Sequence, residues 1–164
     1  RLRPAMAGEA WLILPTYNEA ENLEPLVRAT LPVLEHAAPA GIRILVVDDE
    51  ADARAMLDEA LSARGAHVVV AASAPEAIAA ARGGRFDVVV SDIGMPHEDG
   101  YMFIRALRAL AIEEGGGVPA IALTAYSQAS DRARALRSGF QLHLAKPAPL
   151  DELARAVLAL ARPE

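Results

Sequence analysis

From residue 43 onward the chain repeats one cycle five times: a short apolar run, then a stretch whose apolar residues fall at helical spacing. No other feature constrains the fold as much. Strands joined through helices run parallel and bury both faces of their sheet. The pattern predicts strands over residues 43–47, 67–71, 87–91, 119–123 and 141–145, and helices over 51–64, 74–82, 101–110, 127–138 and 150–161. Gly65, Gly83 and Gly139 stand where helix C-caps belong. In the last helix Leu150, Leu153, Val157, Leu158 and Leu160 form an apolar stripe that reads as core-facing surface. Right-handed crossovers make an α/β, doubly wound, five-stranded parallel sheet the expected fold, with strand order 2-1-3-4-5. Ligands of such sheets bind beyond the carboxyl ends of the strands, where the winding reverses between the first and third strands.

The length of 164 residues leaves room for one ordinary domain over residues 42–162 and a shorter appendage over 1–41. With 53% hydrophobic and 23% charged residues, the chain has the make-up of a globular domain. A net charge of −6 argues against a nucleic-acid partner, because phosphate contacts need a clustered basic face. The absence of Cys excludes disulfides and thiolate sites and fits a reducing compartment. The apolar stretch from Ala10 to Leu14 is too short for the core of a signal peptide, and no run approaches the ~18 apolar residues of a membrane span. These features predict a cytoplasmic protein with no membrane partner, acting on another protein or on a small anion held through a metal.

Asp48 and Asp49, followed by Glu50, end the first predicted strand, and Asp92 follows the third. Alone, the aspartate pair reads equally well as the N-cap of the next helix. The third carboxylate tips the balance. Three carboxylates at one switch point repel unless a cation neutralises them, and hard oxygen ligands with room for water and phosphate suit Mg²⁺. Thr124 follows the fourth strand, and Lys146 with Pro147 follows the fifth. Singly these read as a helix cap and a surface charge. Together with the carboxylates they suit phosphoryl transfer, which needs positioning and charge neutralisation around a nucleophile, here Asp92. His36, His67 and His97 show no zinc-ligand spacing and are assigned no role.

The stretches Ile44-Leu45-Val46-Val47-Asp48-Asp49-Glu50, Val90-Ser91-Asp92-Ile93-Gly94-Met95-Pro96, Asp99-Gly100, Ala122-Leu123-Thr124-Ala125 and Ala145-Lys146-Pro147 occur in this order. Together they resemble the response-regulator receiver family. The resemblance implies a flavodoxin-like sheet and a two-component signalling module that uses Mg²⁺ as cofactor. It implies that Asp92 takes a phosphoryl group from the phosphohistidine of a histidine kinase. Asp49 and Asp92 would bind Mg²⁺ directly, Asp48 through water, and Gly94 through its backbone carbonyl. Thr124 resembles the hydroxyl that moves toward the phosphoryl group, and Lys146 the lysine that pairs with it. His143 falls at the rotameric aromatic position of the fifth strand, and Tyr126 where the family tunes hydrolysis. On the same ground the Lys146–Pro147 bond is expected to be cis. Such a module catalyses its own aspartyl phosphorylation and dephosphorylation without being a conventional turnover enzyme. With no DNA-binding output domain expected after the fifth helix, its output would run through the face of the fourth helix, fifth strand and fifth helix. The partners implied are a downstream protein target, a phosphotransfer protein or a second copy in a homodimer.

A different resemblance covers the N-terminal segment. Trp11-Leu12-Ile13-Leu14-Pro15-Thr16-Tyr17-Asn18-Glu19-Ala20-Glu21-Asn22-Leu23 resembles the opening strand and helix of family 2 glycosyltransferases of the polyprenol-phosphate mannosyltransferase type. The next strand of that family also ends in Val-Val-Asp-Asp, so Asp48-Asp49 would alternatively bind a sugar nucleotide. No two aspartates are spaced i, i+2, so the Asp-x-Asp that holds a metal-diphosphate is missing, and an inactive fragment is the most this alternative allows. Asn18 and Glu21 have the spacing of a capping box. The expectation for residues 1–41 is an N-terminal β-α appendage, joined as a chimera at wording both families share, which the receiver needs neither for folding nor for chemistry.

Overall fold

The structure, a computed structural model, describes residues 39–96, 99–125 and 128–161. Strands β1 (Arg43–Val47), β2 (His67–Ala71), β3 (Val88–Asp92), β4 (Ala120–Thr124) and β5 (Leu142–Ala145) form one parallel sheet in the order β2-β1-β3-β4-β5. Helices α1 (Ala51–Ser62), α2 (Ala74–Gly83), α3 (Gly100–Arg108), α4 (Ala129–Ser138) and α5 (Leu150–Leu160) make the crossovers. The doubly wound, flavodoxin-like arrangement is the one the alternation predicts.

Strand burial differs between the two edges of the sheet: Leu142, His143 and Leu144 of the edge strand β5 are buried. β3 and β4 are buried along their whole length, whereas Val69 and Val70 of the edge strand β2 are 40% and 37% exposed. A strand flanked on both sides and covered on both faces must be apolar throughout, which explains runs such as Ile44-Leu45-Val46-Val47. One core layer packs Leu57 and Leu61 of α1 and Leu153, Val157 and Leu160 of α5 against Ile44, Val46, Val88, Val90 and their neighbours. The other packs the alanines of α2 and Phe103, Ile104 and Leu107 of α3 against Leu45, Val47, Val89 and Ala122. Within the expected stripe of α5, Leu150 and Leu158 are only half-buried.

Several boundaries differ from the sequence pattern. β3 and β4 each run one residue further than expected, so Asp92 and Thr124 are the last residues of their strands. Asp92 pairs with Leu123, and the Ile93 N–H donates to the Leu123 carbonyl at 2.9 Å, so the ladder continues past the last apolar residue. Backbone pairing here overrides the poor strand propensity of aspartate. Gly83 is the last residue of α2 and not its cap, which is Gly84 in extended backbone, while Gly139 caps α4 at φ +118° as expected. After α3 the chain makes a 3-10 turn over Ile112–Glu114 that is too short to leave a periodic signature.

At the amino ends of β4 and β5, Arg108 ties the end of α3 to the stretches that precede both strands. It donates to the carbonyls of Gly139 (3.0 Å), Gly116 (2.9 Å) and Val118 (2.7 Å) and to Oε1 of Gln141 (2.9 Å). That same Oε1 accepts the Ala120 N–H at 2.7 Å, so the carboxamide and guanidinium close the bottom of the sheet. Among the described residues before β1, Pro39 is buried and its carbonyl accepts the Ile42 N–H at 3.2 Å. Gly41 N–H then donates to the Gly65 carbonyl at 2.8 Å. The strand, helix and capping box expected within residues 1–38 lie outside the described residues.

Candidate functional site

Parallel winding brings the ends of β1, β3 and β5 together, and with them charges that are far apart in sequence. Asp48 is 1% exposed and Asp92 7%, while Asp49 is exposed. One carboxylate oxygen from each of Asp48, Asp49 and Asp92 lies within 4.8 Å of the others. Lys146 reaches in from the end of β5: its Nζ donates to Asp48 Oδ2 at 2.8 Å and pairs with Asp92 Oδ1 at 3.3 Å. Burial lowers the pKa of this ammonium, but the hydrogen bond to Asp48 and the charges of Asp92 and Asp48 outweigh burial, so its pKa is raised above the ordinary lysine value. The lysine is therefore charged at neutral pH. Among the described residues, three carboxylates against one ammonium leave a formal excess of two negative charges, the charge of one divalent cation. The Lys146–Pro147 bond that carries the lysine is cis, as the resemblance implied.

The carboxylates are held from behind by backbone and by Arg54. Asp48 Oδ1 accepts the Glu50 N–H at 2.9 Å, an aspartate folding over its own turn. Arg54 Nη1 donates to the carbonyls of Asp48 (2.7 Å) and Asp49 (2.9 Å), clamping the β1–α1 loop. No sequence motif marks Arg54. The available signal was a cation close to a helix N-terminus, where it opposes the helix dipole and so points to another partner. Gly94 lies beside Asp92: a Cβ built there falls 3.6 Å from Asp92 Oδ2. Gly100 packs so tightly beneath the same residue that a Cβ would sit 2.7 Å from Ile93 Cα, and the Gly100 N–H donates to the Ile93 carbonyl at 3.0 Å. The Asp99-Gly100 pair therefore caps α3 and lets it approach the end of β3, with Asp99 Oδ1 accepting the Met102 N–H at 2.8 Å.

Thr124 is 3% exposed at the end of β4, and its carbonyl accepts the Lys146 N–H at 2.7 Å. His143 is 5% exposed and pairs in register with Ala122. Side-chain alternation puts Thr124, Ala122 and His143 on one face of the sheet, the face α4 covers, opposite to Leu123 and Leu144. Beside His143 a cleft of about 520 Å³ runs to Gln128, Ala129, Arg132 and Pro147. Arg134 of α4 stacks on Tyr101 of α3 at 4.1 Å from the ring centroid, which couples α4 to the segment that follows the site. Tyr126 lies outside the described residues, as does His97.

This geometry belongs to a known family. The model of the response regulator receiver domain matches residues 44–158, and the chain belongs to that family, the receivers of two-component signalling. It is 46% identical over 114 residues to an uncharacterized 14.6 kDa protein of Leptolyngbya boryana, covering 70% of this chain and 86% of that one. It is 40% identical over 120 residues to the transcriptional regulatory protein PrrA of Mycobacterium tuberculosis, covering 73% of this chain and 50% of PrrA. The chain thus spans about half the length of PrrA. Among solved structures it is similar to the chemotaxis protein CheY4 of Vibrio cholerae, with TM-score 0.68 at 30% identity over 74% of this chain and 99% of that one. It is also similar to the receiver domain of the sensor histidine kinase PA1611 of Pseudomonas aeruginosa, which was solved with a magnesium ion coordinated in its active-site cleft. That match has TM-score 0.66 at 35% identity, over 74% of this chain and 98% of that one. The sugar-nucleotide alternative for Asp48-Asp49 gains no support from these matches. Among the described residues no helix is long and apolar enough to cross a membrane.

Proposed function

We propose that Asp92 is the phosphoacceptor of this receiver and that a histidine kinase is its donor. The observation that carries the proposal is the Lys146 ammonium bridging Asp48 and Asp92 while, among the described residues, a formal excess of two negative charges remains beside them. A carboxylate oxygen of Asp92 attacks the phosphorus of a phosphohistidine, the P–N bond breaks, and the imidazole leaves and recovers a proton. The group remains on Asp92 as an acyl phosphate. The donor set is all hard oxygen and fits Mg²⁺, with Asp49, Asp92 and the Gly94 carbonyl as direct ligands and Asp48 acting through water. Bound there, Mg²⁺ would neutralise charge on the transferred group. Asp48 holds Lys146 in place to meet the same group, and Arg54 fixes the backbone of both β1 aspartates.

The switch runs through Thr124 and His143, whose shared face supports their coupling: the Thr124 hydroxyl turns toward the phosphoryl group, and His143 and α4 follow. Tyr126 tunes hydrolysis. The output surface is the cleft between α4 and β5, read by a downstream protein, a phosphotransfer protein or a second copy, in the cytoplasm. Residues 1–41 are an appendage whose stretch from Trp11 to Leu23 resembles a glycosyltransferase opening, fused as a chimera and without transferase activity. The test of the main proposal is intact mass after incubation with acetyl phosphate and Mg²⁺. A gain of one phosphoryl group, lost in Asp92→Asn, is expected; labelling that survives in that variant overturns the assignment.

A further inference from the structure

Along β3, Val88, Val89 and Val90 are apolar and buried, and the next residue, Ser91, carries a hydroxyl into the same interior at 0% exposure. Its register partners are Val47 of β1 and Ala122 of β4, both part of the apolar layer under α2 and α3. An alanine or valine would fit that layer with no polar group to accommodate. The hydroxyl has a definite acceptor: Ser91 Oγ donates to the carbonyl oxygen of Asp92 at 2.9 Å.

That carbonyl stands where the pairing of β3 becomes one-sided. β1 pairs with β3 as far as Val47 and Ser91, whereas β4 continues one residue further, to Leu123 and Asp92. The peptide unit after Asp92 has its N–H, on Ile93, bonded to the Leu123 carbonyl at 2.9 Å and its C=O bonded to Ser91 Oγ. The next carbonyl, that of Ile93, accepts the Gly100 N–H at 3.0 Å. Gly100 also closes the space beyond, since a Cβ there would collide with the Asp92 carbonyl oxygen. Three hydrogen bonds thus pin the backbone that leads from Asp92 to Gly94, and the one from Ser91 is made by a side chain.

We propose that Ser91 is a positioning residue for the Mg²⁺ site: its hydroxyl sets the orientation of the peptide after Asp92, and with it the aim of the Asp92 carboxylate and the Gly94 carbonyl. This role rests on those two groups being direct Mg²⁺ ligands. Mg²⁺ demands near-ideal octahedral geometry, so a small misplacement of two oxygen ligands is felt in affinity before it is felt in the fold. Groups that orient ligands from behind typically change metal affinity by roughly ten- to a hundredfold when removed.

The test is calorimetric titration of the full chain with MgCl₂, with no phosphodonor present. Ser91→Ala is expected to raise the Mg²⁺ Kd about tenfold, and Ser91→Val, which fills the space but brings no donor, to raise it at least as much. Val89→Ala is the control, because Val89 lies two residues earlier on the same face of β3 and packs in the same layer. It should lower the urea midpoint more than Ser91→Ala does, yet leave the Kd within about twofold of the unaltered chain. A Kd for Ser91→Ala within about twofold of the unaltered chain overturns the proposal. Equal weakening in Val89→Ala overturns it too, since affinity would then follow stability alone. An unaltered chain that neither binds Mg²⁺ nor takes up phosphate overturns the reading of the site itself, and this role with it; in the other two outcomes the unaltered chain binds.

Discussion

The two ends of the sheet handle charge in opposite ways. At the amino end, Arg108 places donors on three backbone carbonyls and a carboxamide, so neutral dipoles meet its guanidinium. At the carboxyl end, three carboxylates crowd within 4.8 Å of one another and, among the described residues, meet the Lys146 ammonium. The first end is complete in itself and holds the fold. The second is left short of positive charge, which costs stability and creates a demand for a cation and an affinity for chemistry. Function sits where the fold leaves charge uncompensated.

Asp92→Asn should break the comparison most sharply at the carboxyl end. Acetyl-phosphate labelling should vanish, while stability without metal, measured by urea denaturation, should equal or exceed that of the unaltered chain, because a repelling charge is gone. A large loss of stability would mean that the carboxylates support the fold. At the amino end the expectation is reversed. Arg108→Ala strands the Gly139, Gly116 and Val118 carbonyls and should cost roughly 2–4 kcal/mol in denaturant midpoint analysis, with labelling at low denaturant retained.

Lys146 offers a pH test of the carboxyl end. Its folded pKa lies above the ordinary lysine value of 10.5, so its pairing contributes fully below that value and is lost as pH climbs through the higher folded value. The stability difference between the unaltered chain and Lys146→Gln should therefore stay constant from about pH 7 to 9 and shrink only in more alkaline solution; shrinkage already below about pH 9 would reverse the sign of the shift. Thr124→Ala is expected to have a smaller effect. It should still take up phosphate, but hydrogen exchange across α4 and β5 should respond much less than in the unaltered chain, and a full response would dissociate Thr124 from His143. The smallest effect is expected on starting the chain at Pro39. Cooperative unfolding and Asp92 labelling should persist, and an insoluble or unlabelled product would make the preceding residues an integral part of the fold.

Much of this was legible in sequence because it rests on local periodicity and on residue types at strand ends. Five apolar runs alternating with amphipathic stretches already imply a parallel, doubly wound sheet, since such strands have no other way to bury both faces. Asp48, Asp49, Asp92, Thr124 and Lys146 were recognisable because each stands at the end of a run. Tertiary structure alone decided what depends on distance between elements. Pairing with Leu123 drew Asp92 into β3, and the approach of α3 made Gly100 indispensable. Arg54 and Arg108 carry no motif, because an arginine that serves backbone carbonyls is defined by where those carbonyls converge. Nor does a trough at the foot of the sheet correspond to any single stretch, since its walls come from the segment before β1, the segment before β3 and the 3-10 turn. Sequence fixes periodicity and chemical type through local interactions; the placement of a guanidinium, a cavity or a third carboxylate follows from long-range packing, which no local pattern encodes.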